Sequence, residues 1–209
     1  IWAYGFRNPW RMAYDWHSNQ LWVGQNGQDL WEQVYLVRKG ENYGWSVQEG
    51  SHPFYPLRPR GSEAITSPAA EHHHSEFRSQ TGGIVYRGQA LAGLDGSFVY
   101  GDYSTGRIWI VRHDGQRVVQ NEEIADTTLQ ITGFAQNHAG DLLVVDHGGG
   151  FYRLEPAPAE QQADFPRRLS ETGLFSDVAK HQMAAGVLPY SVNSQLWSDG
   201  AWKQRWLAV

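Results

Sequence analysis

The sequence contains no cysteine, which excludes disulfides, thiolate metal ligation and covalent haem attachment within these residues. Charge is sparse as well: Asp, Glu, Lys and Arg make up 19% of the chain and leave a net charge of −5, with a pI near 6.0. That balance offers no basic face able to displace counterions from a phosphate backbone, so nucleic acid is excluded as an expected partner. No apolar run approaches the roughly 20 residues of a membrane-spanning helix, so no membrane span is expected. A signal-like segment is missing too: the chain begins at Ile1, without Met and in mid-pattern, and further residues are expected upstream.

What is abundant is a mixture of strand formers and turn formers. Aromatics reach 13% and glycine 23 residues out of 209, a composition that leans all-β. From residue 11 to about 156, short aromatic and β-branched runs alternate with Gly, Asn and Asp turns. The runs fall into three groups: residues 11–15, 21–24, 31–37 and 42–47; then 83–86, 97–103, 107–113 and 117–121; then 131–137, 141–146 and 151–154. Gly96, Asp102, Gly106 and Ile108 recur at a constant offset as Gly140, Asp146, Gly150 and Tyr152, a spacing of propeller-blade length. The fold expected is all-β, a partial β-propeller of about three four-stranded antiparallel blades. Such an arc exposes apolar ends, which further blades would cover.

Residues 49–80 hold Pro53, Pro56, Pro59, Pro68 and the run His72-His73-His74, and are too long for a turn. Successive side chains on an extended chain point to opposite faces, so the three histidines are not expected to share one metal; a surface loop is expected instead. Asp146-His147 before three glycines reads as a blade turn rather than a catalytic dyad. Most tryptophans are assigned to core and inter-blade packing rather than to a sugar-stacking platform. The blade rhythm stops near residue 156: residues 157–164 read as a linker, and 165–209 as a mostly irregular tail beginning a further, incomplete domain. Within it, Ser170-Glu171-Thr172-Gly173 offers a helix cap.

Four motifs in order carry a resemblance: Gly5-Phe6-Arg7-Asn8-Pro9 within residues 1–11, Val23-Gly24-Gln25-Asn26-Gly27-Gln28 with Trp31-Glu32, Lys39-Gly40-Glu41-Asn42-Tyr43-Gly44-Trp45, and Thr81-Gly82-Gly83-Ile84-Val85-Tyr86-Arg87-Gly88. The stretch from Gly101 to Trp109 continues it. Over residues 1–156 the chain resembles the second half of the glucose/sorbosone dehydrogenase family of quinoprotein β-propellers, which implies a partial six-bladed propeller. The resemblance implies an oxidoreductase that oxidises an aldose by hydride transfer to pyrroloquinoline quinone, in a periplasmic or secreted protein. The alternative is a non-catalytic binding or scaffold propeller that has lost the quinone site.

The resemblance also implies roles for particular residues. Arg7 and Asn8 would contact the quinone, whose carboxylates and ortho-quinone call for cationic and amide donors; Arg7 fixing a blade corner through backbone carbonyls is the other reading. Gly27 and Gln28 would hold Ca²⁺ through their carbonyls, or else form an ordinary Asn-Gly hairpin turn. His74, near the expected mouth, would meet the sugar substrate. The family's catalytic base would lie upstream of Ile1, so these residues alone are expected to be inactive. Cationic clamps that the soluble dehydrogenases place near Ser104, Gln130 and Thr132 are absent here. Residues 165–175 and 189–201 are similar to segments joining such propellers to c-type cytochrome modules in large secreted bacterial proteins, which implies a cytochrome as electron acceptor.

Overall fold

The computed structural model describes residues 1–157, 168–190 and 205–208. The chain divides into two units, Ile1–Pro156 and Ala157–Val209.

In the first unit, β1 (Pro9–Asp15), β2 (Gln20–Gln25) and β3 (Trp31–Val37) form an antiparallel meander. A small hairpin follows, β4 (Gln48–Glu49) with β5 (His52–Pro53), and then β6 (Ala70–His73) pairs with β3 to complete the first sheet. The second sheet is β7 (Gln80–Val85), β8 (Phe98–Asp102), β9 (Arg107–His113) and β10 (Val118–Asp126), ordered β7-β8-β9-β10. The third is β11 (Ile131–Gln136), β12 (Leu142–Asp146) and β13 (Phe151–Arg153). The first strands of the three sheets lie side by side, β1 against β7 and β7 against β11. The sheets therefore fan out from a common inner line, as blades do.

The period of two explains how the blades adhere. On β8, Phe98 and Tyr100 face the first blade and, with Val111 of their own sheet, pack with Trp22, Val34, Ala70 and Phe77; Val99 faces the third and, with Ile108 and Ile110 of its own sheet, packs with Ile131, Leu142 and Val144. Trp22 stacks on Phe98 with ring centroids 5.2 Å apart, joining blade one to blade two. On the other face of the first blade, Val23, Tyr35, Val37 and Tyr43 are covered by Ala3 and Phe6 of the N-terminal segment.

Two sequence expectations for this unit are corrected. Residues 42–47 are not the fourth strand of blade one: the Asn42 side chain accepts a hydrogen bond from the Gly44 N–H at 3.0 Å, a local turn that competes with a ladder, and β6 takes the place. The histidine run is not a surface loop either, since His72 and His73 lie on β6 and His72 is buried. The third blade has three strands among the described residues, matching the three runs read there.

In the second unit, β14 (Phe175–Asp177) pairs with β15 (Gln182–Met183), and β16 (Val187–Pro189) with β17 (Trp206–Ala208). The expected helix cap at residues 170–173 is replaced by a single 3₁₀ turn, Leu169–Glu171, which has no side-chain cap at its N-terminus. Most of the linker read at 157–164, and residues 191–201 of the segment likened to cytochrome-joining regions, lie outside the described residues.

Candidate active site

One hydrogen-bond frame is repeated at the entry to each inner strand. The N–H groups of Asn26, Tyr103 and His147 donate to the carbonyls of Asn8, Ser79 and Gln130, at 3.1, 3.0 and 2.9 Å. Directly after this bond each inner strand carries a β-bulge, at Trp10, Thr81 and Thr132. Bulges re-aim side chains and collect at barrel rims and beside active sites. The frame thus brings three chain segments to one end of the inner strands.

Arg7 enters this end from the first segment. Its guanidinium is half-buried against the 26–28 turn, donating to the Asn26 carbonyl at 3.2 Å and the Gln28 side-chain carbonyl at 3.0 Å. Its own N–H donates to Gln25 Oε1 at 2.8 Å. The neighbouring Asn8 side chain is exposed.

Two buried carboxylates hold the turn from beneath. Glu49 accepts hydrogen bonds from the backbone N–H groups of Gln28, Asp29 and Leu30, the last two at 2.7 and 3.2 Å. Glu32 accepts from the Gly27 N–H at 3.2 Å, the Asn26 amide at 2.6 Å and the Gln80 N–H at 2.7 Å, and its carboxyl lies 2.8 Å from His74 Nε2. Burial pushes the Glu32 carboxyl upward, against the Gln80, His74 and Asn26 hydrogen bonds that pull it down. The turn needs glycine at 27, because a Cβ there would stand 1.8 Å from the Trp31 carbonyl oxygen. With the N–H groups taken, the carbonyls of Gly27 and Gln28 accept no hydrogen bond among the described residues.

The three histidines go to three partners. His72 Nε2 bonds the Tyr100 hydroxyl at 2.8 Å, the His73 ring meets Trp31 edge-on with centroids 5.2 Å apart, and His74 takes Glu32. No group of three or more His, Cys, Asp or Glu side chains able to hold a metal occurs among the described residues. Asp146-His147 is a blade turn, with Asp146 accepting from the Gln130 and Gly148 N–H groups.

A cleft of about 380 Å³ opens beside this frame, lined by Trp10, Arg11, Gln80, Tyr103, Thr132 and His147 among others. Tyr103 and His147 meet edge-to-face, 5.6 Å between centroids. Gln80 is 1% exposed, yet neither its amide nitrogen nor its amide oxygen has a partner among the described residues. A buried amide in that condition costs about 1 to 3 kcal/mol. Arg11 has no carboxylate partner among the described residues; its Nη2 donates to the Thr132 carbonyl at 3.0 Å.

A sequence model described as glucose/sorbosone dehydrogenase matches residues 1–153. The chain belongs to this family. Among curated relatives it is similar to the HIPL1 protein of Arabidopsis thaliana, 37% identical over 122 residues, which cover 52% of this chain and 18% of that protein. It is also similar to the aldose sugar dehydrogenase YliI of Escherichia coli, 44% identical over 47 residues covering 22% of this chain and 13% of the relative. Among solved structures, the PQQ-bound aldose sugar dehydrogenase of Streptomyces coelicolor aligns with a TM-score of 0.55 at 22% identity, over 70% of this chain and 39% of that one. The soluble aldose sugar dehydrogenase of E. coli, in its apo form, aligns with a TM-score of 0.56 at 22% identity, over 72% and 45%. This glucose/sorbosone dehydrogenase-family chain therefore spans less than half the length of each of these proteins, and the structural likeness speaks for a partial β-propeller.

Arg7, Asn8, Gly27 and Gln28 were nameable from motifs and His74 from the expected place of its segment near the mouth, and the fold brings Arg7, the 26–28 turn and His74 into one connected network. Sequence reasoning assigned no role to Glu32, Glu49, Gln80 or Arg11. Glu32 stands in a quoted motif, five residues after Gly27, and that proximity to the turn was its one visible mark. Glu49 and Gln80 are tied to the turn only by tertiary contact.

Proposed function

We propose that this domain, completed as in its longer relatives, oxidises an aldose with pyrroloquinoline quinone, whose chemistry when bound is to accept hydride from the sugar carbon. The observation that carries the reading is the meeting, at one end of the inner strands, of the Arg11 guanidinium, which has no carboxylate partner among the described residues, the Gln80 amide, which has no partner among them, and an aromatic-walled cleft. That donor set suits a flat ligand bearing carboxylates.

Arg7 and Asn8 are the proposed quinone-facing pair. Arg7 keeps its orientation through Asn26 and Gln28, and the exposed Asn8 amide is free to donate. Glu49 and Glu32 occupy the N–H groups of the turn, which leaves the Gly27 and Gln28 carbonyls as neutral oxygen donors for Ca²⁺, two of the about six to eight such an ion takes. His74, partly exposed beside Glu32, is the proposed contact for a sugar hydroxyl. Proton abstraction from the sugar is assigned to a base outside these residues. A periplasmic or secreted location and a c-type cytochrome acceptor complete the proposal.

The test is to titrate a protein carrying the whole domain with quinone in the presence of Ca²⁺, following cofactor absorbance, and to assay dye reduction with a panel of aldoses. Saturable uptake at about micromolar quinone, with sugar-dependent dye reduction, is expected. Lack of uptake would overturn the reading and leave a non-catalytic propeller.

A further inference from the structure

The three bulges set up an equivalence that the sequence does not display. They place Trp10, Thr81 and Thr132 at matching positions on β1, β7 and β11, so the residues that follow, Arg11, Gly82 and Gly133, also match. One ring around the inner line thus carries a long cationic side chain on one blade and no side chain on the next two. The glycines are what give that side chain its path. A Cβ on Gly82 would stand 2.7 Å from Arg11 Cβ and 3.5 Å from its Cδ, and a Cβ on Gly133 would come within 3.9 Å of the guanidinium carbon. Arg11 therefore lies across β7, and its Nη2 reaches the Thr132 carbonyl on β11 at 3.0 Å.

That endpoint lies beside Gln130 and Thr132, where the third blade itself carries no cation. The guanidinium uses one N–H on the carbonyl, has others to offer, and faces the cleft that Gln80 also lines. We propose that Arg11, a residue of the first blade, is the carboxylate clamp of this cleft, replacing from across the inner line the cations absent from the third blade. The ligand class is a planar aromatic carboxylate; its identification with the quinone rests on the function proposed above. Trp10 and Tyr103 supply the flat walls.

The experiment compares parent, Arg11→Gln and Arg11→Lys in the whole protein, by quenching of tryptophan fluorescence. The probes are pyrroloquinoline quinone with Ca²⁺, its trimethyl ester with Ca²⁺, and quinoline-2,4-dicarboxylate without Ca²⁺. The parent is expected to prefer the acid to the ester. Arg11→Gln is expected to weaken the acid about 10- to 100-fold and the ester little, the loss of one charge-assisted contact, and Arg11→Lys to restore part of the preference. The ester comparison separates a clamp from a strut: a guanidinium that only ties β1 to β11 would, when removed, weaken both probes alike. Equal weakening, or none, overturns the proposal while leaving the quinone reading intact. If the parent takes the dicarboxylate in an Arg11-dependent manner but not the quinone, the clamp stands and the quinone reading falls. If it takes none of the three, both fall. Should Arg11→Gln not fold, Arg11→Lys decides, since a lost acid preference despite a retained charge overturns the clamp.

Discussion

Replacing Asp102 by alanine should destabilise the propeller unit far more than the same change at Asp146, although the two occupy matching places in successive blades. Asp102 is completely buried and its carboxylate accepts four backbone N–H groups: Arg78 at 2.6 Å, Ser79 at 2.5 Å, Ser104 at 2.8 Å and Thr105 at 2.7 Å. It closes the β8–β9 turn and fixes the chain entering β7 at once. Asp146 does the same work with two bonds, from Gln130 at 2.8 Å and Gly148 at 2.9 Å, at a half-exposed position where water can replace them. Hydrogen bonds to a charged acceptor contribute about 1.5 to 3 kcal/mol each, and orphaned buried donors cost about 1 to 3 kcal/mol. The four are not independent, so a loss of about 3 to 5 kcal/mol is expected for Asp102→Ala, the range for breaking buried charged contacts. For Asp146→Ala, about 1 to 2 kcal/mol is expected. Urea unfolding followed by tryptophan fluorescence reads both, with the slope checked to be unchanged so that the midpoints compare directly. Equal losses, or an Asp102 loss below about 1 kcal/mol, would refute the idea that backbone capture by the buried carboxylate holds the blade entry.

Asp15 carries a pH prediction. Burial alone would raise its carboxyl, but the hydrogen bonds from Arg87, 2.6 Å at the closest, and from Ser18 and His17 outweigh that and hold it well below the usual carboxylate range. A depressed native value contributes stability that is complete above the unfolded value of about 4 and is lost as pH falls through the native one. Arg87→Met should therefore lower stability most at neutral pH, by about 2 to 3 kcal/mol, with the gap to the parent narrowing once pH drops below about 4; a gap that widens in acid would contradict this ion pair. Glu49→Ala should release the amides of Gln28, Asp29 and Leu30, so that hydrogen exchange there speeds by about 10- to 100-fold. Unchanged protection would mean that the turn holds itself.

The second and third blades were legible because their strands keep a strict alternation that one-sided burial reads directly: Phe98 and Tyr100 to one core, Val99 to the other. The recurrence of Asp102 as Asp146 was visible as spacing, and the structure gives its cause in a carboxylate that captures the entry of its own blade. Blade one resisted because its outer strand follows a proline-rich excursion, and the local turn at Asn42 imitates the run expected there. Arg7 and the 26–28 turn were found because their chemistry sits in contiguous motifs. Arg11 and Gln80 lie in plain sight in the same motifs or beside them, but their meaning depends on which residues match around the inner line, and the bulges decide that. A propeller repeats its frame, so a residue that merely serves the frame has counterparts in its neighbours, as Asp102 has in Asp146. Arg11 has glycines for counterparts, and Gln80 has Pro9 and Ile131, neither of which carries a polar side chain. Both departures from the repeat sit at one end of the inner strands and line the same cleft, and a frame alone gives no reason for that coincidence.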